Sequence, residues 1–163
     1  MKPEERAHLR WKYMVLLRAH PGFLPALSMR ENTALPLLLS GERRRAALSR
    51  AQEAMEAFGV EIAARRTPEE LTPAELCRCQ LARASLREPE LILADSFPVG
   101  LNEREEIQIR QLLQVFQMQM NATLVLLGDH RDHVCHADRT LFLRSGRLWE
   151  EHGQEENAYE PNP

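Results

Sequence analysis

Residues 87–95 read Arg-Glu-Pro-Glu-Leu-Ile-Leu-Ala-Asp. Leu91 to Ala94 is a short, continuously apolar run of the kind found in a buried parallel strand, and Asp95 closes it. Upstream, Thr72-Pro73-Ala74-Glu75 is a capping box with proline at the first helical position, which predicts a helix from Pro73 through Ser85 or Leu86. Downstream, Asn102 with Glu105 three places on caps another helix, whose Ile109, Leu113, Phe116 and Met120 mark one buried face. Ala122 to Leu127 is a second buried strand, ending at Gly128-Asp129.

Towards the N-terminus, the aromatic and β-branched content of Arg10 to Leu17 predicts a strand ended by His20-Pro21-Gly22. From Met29 to about Arg87 the pattern is helical. Ala47, Ala51, Met55 and Phe58 recur near a 3.6-residue period, and Gly59 supplies a stop. After a short helical turn, Thr140 to Arg144 and Arg147 to Trp149 flank Ser145-Gly146 as a hairpin. The expected organisation is a single α/β domain over residues 1–163. Its α/β subdomain takes residues 10–28 and 88–149, a helical subdomain takes 29–87, and 150–163 form a disordered acidic tail.

A chain of 163 residues with 44% hydrophobic and 28% charged residues has room for one domain with a real core. Its longest apolar runs, such as Leu35 to Leu39, are far shorter than the ~20 residues of a spanning helix, and the opening residues form no signal peptide. A cytoplasmic location is expected. Three cysteines, Cys77, Cys79 and Cys135, form no disulfide framework, and a net charge of −3 argues against a nucleic-acid partner. The only lysines are Lys2 and Lys12, and neither follows a glycine. These residues therefore contain no Gly-Lys-Ser/Thr phosphate loop.

Five segments in register resemble ABC transporter ATPase subunits. Phe23 to Pro36 is similar to the segment after the family's Q-loop. Leu71 to Glu75, followed by Leu81-Ala82-Arg83-Ala84, stands where the family has its LSGGQ signature and the helix after it. Arg87 to Asp95 resembles the approach to Walker B, and Ala137 to Arg139 with Leu143 to Leu148 resembles the closing segment. Asp95 to Asn102 is most similar to lipid-transport ATPases of the Mla or Mce type, whereas the stretch from Ala34 is equally similar to lipoprotein-release and MacB-like ATPases. The resemblance covers roughly residues 12 to 149 and implies a partial P-loop NTPase-like core with an inserted helical subdomain, the P-loop strand and helix missing. It also implies that the Walker B strand lies between the Q-loop and H-loop strands.

The resemblance further implies a degenerate nucleotide site. Ala19 stands at the Q-loop glutamine and coordinates nothing. Thr72 keeps a hydroxyl in the signature segment, but Pro73 deletes an amide donor and Glu75 brings a negative charge towards a polyphosphate. Asp95 matches the Walker B aspartate, and Ser96, far too weak a base, replaces the catalytic glutamate. Asn102 takes the D-loop position, and Asp129 or its neighbour His130 takes that of the H-loop histidine. No catalytic residue, cofactor or ATP hydrolysis is expected.

Two other readings use the same residues. His130, His133, Cys135 and His136, with Cys77 and Cys79, invite a metal site, but their spacing matches no zinc finger and no metal is expected. Ser96, His130 and Asp129 compose a hydrolase triad on paper, without the Gly-x-Ser-x-Gly elbow. The expected function is a noncatalytic ABC-ATPase-like subunit on the inner face of a membrane. It docks on a permease subunit through Phe23, Leu24 and Pro25, or pairs with a competent ATPase. The alternative is a weak nucleotide-binding sensor or enzyme on the same fold.

Overall fold

The computed structural model describes residues 2–128 and 137–150, which fall into two units divided after Gly128. The first unit begins with α1 (Pro3–Tyr13), β1 (Met14–Arg18), α2 (Met29–Leu39) and α3 (Arg44–Ala57). Two 3-10 turns, Glu61–Arg65 and Pro68–Glu70, lead to α4 (Pro73–Ser85), β2 (Leu91–Asp95), α5 (Glu103–Met120) and β3 (Thr123–Leu127).

Three of these helices start on reciprocal caps that satisfy amides a helix leaves without partners. At α4, Thr72 Oγ1 accepts the Glu75 N–H (3.2 Å), while the Glu75 carboxylate accepts the Thr72 N–H (2.9 Å). Asn102 and Glu105 repeat the exchange at α5 (3.0 and 3.1 Å), and Ser28 with Glu31 opens α2 (3.3 and 3.1 Å). Gly59, at φ +64°, follows the end of α3 in the left-handed conformation that an L side chain resists.

The strands form one parallel sheet in the order β1-β2-β3, so β2, with Asp95 at its end, lies in the middle. Val15, Ile92 and Leu124 align across the strands, as do Leu17, Ala94 and Leu126. These six belong to or pack against the main core, with Leu81 of α4 and Ile109, Leu113 and Phe116 of α5. Phe116 meets Phe58 edge-on, their ring centroids 6.0 Å apart. The opposite face presents Leu16, Leu93, Val125 and Leu127. Among these, Leu16 is 49% and Leu127 51% exposed.

Two boundaries and one burial differ from the sequence expectations. Arg10 to Tyr13 are helical, and the strand begins only at Met14. Pro3, Glu4 and Glu5 in the first turn and Arg10 and Lys12 in the last suit a helix and its dipole, overriding the β character of these residues. The strand takes over where the Glu90 N–H donates to the Tyr13 carbonyl (2.9 Å). β3, expected to be buried, is half-exposed because only its Leu124 and Leu126 face the core.

In the second unit, β4 (Leu141–Arg144) and β5 (Arg147–Glu150) pair antiparallel as their own two-stranded sheet. Glu150, expected to open the disordered tail, instead ends β5, and its carboxylate accepts from Arg139 Nε (2.8 Å). Residues 151–163 lie outside the described residues.

Thr33 is fully buried in α2, and its hydroxyl has no hydrogen-bond partner among the described residues. Thr33→Val keeps the shape and removes a desolvated polar group. It is expected to stabilise the fold by roughly 1 kcal/mol, read as a higher denaturation midpoint in urea with an unchanged slope.

Candidate functional site

Parallel α/β sheets carry their chemistry at the carboxyl ends of the strands. Arg18 and Asp95 are register partners there, Ala19 follows β1, and Ser96 follows β2. Ser96 has φ +49°, and its N–H donates to the Leu127 carbonyl (3.0 Å), which ties the start of the next loop to β3. That loop then reaches α4: a Cβ placed on Gly100 would lie 3.8 Å from Pro73 Cβ. The fold therefore brings Ala19, Asp95 and Ser96 to one sheet edge and links the loop after them to Pro73 at the start of α4. Asp129 and His130 lie outside the described residues, as do His133, Cys135 and His136.

The N-terminus of α4 is capped from within. Pro73 has no N–H, the Glu75 N–H goes to Thr72, and the Glu75 carboxylate also accepts from Arg66 (2.9 Å). The Thr72 backbone N–H is the leading cause holding the Glu75 carboxyl below the usual carboxylate range, with the Thr72 hydroxyl and Arg66 adding to it. An anion approaching this helix end meets an ionised carboxylate. Cys77 and Cys79 are buried on the same helix, and burial pushes their thiols up to about 11 and about 12, so both are protonated and poor metal ligands at neutral pH.

The loop between β1 and α2 is held as firmly as the helices. Asn32, fully buried on α2, accepts the Leu24 N–H (2.7 Å) and donates to the carbonyls of Leu24 (3.0 Å), Leu27 (3.1 Å) and Ser28 (3.2 Å). Phe23 turns inward against the core, with the Arg83 guanidinium stacked 4.4 Å above its ring. Leu24, Pro25 and Ala26 are exposed. Of the three residues assigned to partner contact, Phe23 is thus used internally, and Leu24 and Pro25 face outward.

Sequence reasoning singled out none of Asn32, Gln80 or Arg83. Gln80 lies flat against the free edge of β1: its Oε1 accepts the Arg18 N–H (3.2 Å), and its Nε2 donates to the Arg18 carbonyl (2.9 Å). Arg83 donates to the Pro21 carbonyl (2.6 Å). The only signal available for them was a polar residue on an otherwise buried helix face.

A three-stranded parallel sheet with an acidic residue ending the middle strand, crossed by a helical insertion, is the P-loop NTPase-like architecture of an ATP-binding cassette. It recurs in a solved dimeric structure of a post-hydrolysis state of the ATP-binding cassette MJ0796 bound to ADP and Pi. The TM-score is 0.78 at 23% identity, covering 94% of this chain and 69% of that one. No family model matches the chain. It is 29% identical over 151 residues to the lipoprotein-releasing system ATP-binding protein LolD of Oleidesulfovibrio alaskensis, covering 93% of this chain and 65% of that protein. Against LolD of Syntrophus aciditrophicus it is 33% identical over 125 residues, covering 77% and 56%. The chain thus spans between 56% and 65% of the length of these curated relatives. It is an ABC-ATPase-like protein whose homologues are ATP-binding proteins of lipoprotein-releasing systems.

Asn32→Ala is expected to release the loop, because several buried backbone groups lose their partner at about 1–3 kcal/mol for each one left unsatisfied. Amide hydrogen exchange checks this: the Leu24 N–H should exchange much faster, with β2 amides changing least.

Proposed function

We propose that the chain is a noncatalytic ABC-ATPase-like subunit that docks on the inner side of a membrane transport complex, against a permease subunit or beside a competent ATPase. Exposed Leu24 and Pro25 on a loop locked by Asn32 are the observation that carries it. A rigid apolar projection loses little entropy on binding, and single apolar anchors of this kind dominate many interfaces. The homologues' names support a transport system, and among the described residues no helix is long and apolar enough to cross a membrane. In this reading, attachment goes through another subunit.

Leu24→Asp is the test. It leaves the Asn32 bonds in place, since these use the Leu24 backbone. The variant should keep the native circular dichroism and melting temperature yet leave the membrane fraction of the native cell. Membrane retention by the folded variant would refute docking through this loop.

The noncatalytic half of the proposal is supported by Ala19 and Ser96 at the carboxyl edge of the sheet and by the carboxylate that caps the start of α4. A serine hydroxyl at Ser96 cannot serve as the general base. Calorimetric titration with Mg-ATP is expected to show no high-affinity binding, and Ser96→Glu to leave phosphate release at background. Turnover surviving repurification would instead favour the nucleotide-sensor or enzyme reading.

A further inference from the structure

The charges at the start of α3 run against their own helix. Arg43, Arg44 and Arg45 take the N-cap and the first two helical positions, with no acidic residue in that turn and no side-chain cap from Arg43. Cations there oppose the helix dipole, so helix stability does not account for the run. Arg44 pairs with Glu31 (2.6 Å), and Arg50 further along pairs with Glu42 (2.9 Å). Arg45 has no ion pair or ring contact among the described residues, and neither has the half-buried Arg30 in the first turn of α2.

These two unpaired guanidinium groups line one cleft of about 360 Å³ between α2 and α3, together with Leu48, Ser49 and Gln52. Arg45, Leu48, Ser49 and Gln52 lie three, four and seven residues apart, the spacing that brings side chains to one helix face, and Arg30 joins them from α2. The Ser49 hydroxyl and the Gln52 amide donate to Glu53 and Glu56 (both 3.2 Å), exposed carboxylates that do not line the cleft. Both bonds are exposed and at the long end of the hydrogen-bond range, so either donor can turn from its carboxylate to a ligand.

We propose that this cleft binds the phosphate group of a phosphate ester, held between Arg30 and Arg45 with Ser49 and Gln52 donating to its remaining oxygens. Guanidinium forks match the oxygens of a phosphate two at a time, and two forks with two neutral donors suit a group that carries several acceptor oxygens. The volume lies at the lower end of the ~300–1,000 Å³ of small-molecule sites, enough for the phosphate and the first atoms of the group it esterifies. A soluble phosphate ester and the headgroup of an anionic phospholipid present the same chemistry to it. The cleft shares no residue with the Leu24 and Pro25 loop or with the sheet edge that carries Asp95 and Ser96, so it stands whether or not the chain docks on a permease.

Two probes on the full chain separate the sources. If the ligand is soluble, glycerol 3-phosphate should bind saturably with a Kd below roughly 1 mM, shifting the amide resonances of Leu48, Ser49 and Gln52. If it is a headgroup, vesicles of phosphatidylcholine containing phosphatidic acid should sediment the protein, and phosphatidylcholine alone should not. In whichever arm binds, Arg45→Gln and Arg30→Gln should each weaken binding by roughly tenfold through loss of a charged fork. Arg43→Gln removes the same charge from the same run outside the cleft and should change it by less than about twofold. If one cleft variant fails to fold, the other decides. No binding in either arm, an equal loss in Arg43→Gln and Arg45→Gln, or unchanged binding in both cleft variants would overturn the proposal.

Discussion

Parallel strands cannot be joined by a tight turn, and that constraint organises this chain. Between the end of β1 at Arg18 and the start of β2 at Leu91 the chain must cross over the sheet, and the whole helical block is that crossover. Its last helix, α4, returns across the inner face and buries Leu81 in the same cluster as Leu17, Ile92 and Ala94. From there α4 reaches back to the strand it left behind. Gln80 holds the Arg18 backbone, Arg83 holds the Pro21 carbonyl and the Phe23 ring, and Arg78 donates to the Phe58 carbonyl (2.9 Å). One helix therefore fixes the edge of the sheet, the loop after β1 and the end of α3 together.

The inner face of the sheet holds the fold together, and the outer face is apolar and part-exposed. Parallel sheets are normally covered on both sides. Here no described helix of the first unit is seen to cover the side chains at Leu16, Leu93, Val125 and Leu127, and Leu16 and Leu127 are about half exposed. Leaving one Leu or Val side chain in water forfeits roughly 1.5–3 kcal/mol of burial. Several such positions in adjacent strands make a continuous apolar surface of the kind that soluble proteins usually reserve for contact.

What was legible in the sequence was local. Thr72 with Glu75 and Asn102 with Glu105 fix helix starts through bonds three residues apart, and the apolar run before Asp95 marks a central strand by composition alone. The same local logic misjudged Arg10 to Tyr13, because one stretch carries strand-type side chains and also continues a well-charged helix; a single backbone bond from Glu90 decides where helix yields to strand. The partners of Gln80 and Arg83 could not be read, since Arg18 and Pro21 lie 62 residues away. The candidate site divides in the same way. Ala19 and Ser96 are visible as substitutions within a family-like pattern, whereas the inward turn of Phe23 depends on Arg83 arriving from a distant helix.

The two ends of α4 carry opposite electrostatic situations. At its start a carboxylate, a hydroxyl and Arg66 satisfy one another, and the ionised carboxylate occupies the positive helix end. In its last turn Arg83, and just beyond it Arg87, are desolvated and, among the described residues, held by carbonyls and ring faces. Carbonyls and π-clouds offer partial charges, and a guanidinium left with these alone keeps most of its attraction for a full anion. Replacing either arginine by a neutral apolar residue would relieve the desolvation penalty but lose these bonds and ring contacts. Arg83 is explained in part by the loop that it pins. Arg87, which pins only α1 through Trp11 and the Arg10 carbonyl, is the one whose placement internal packing explains least.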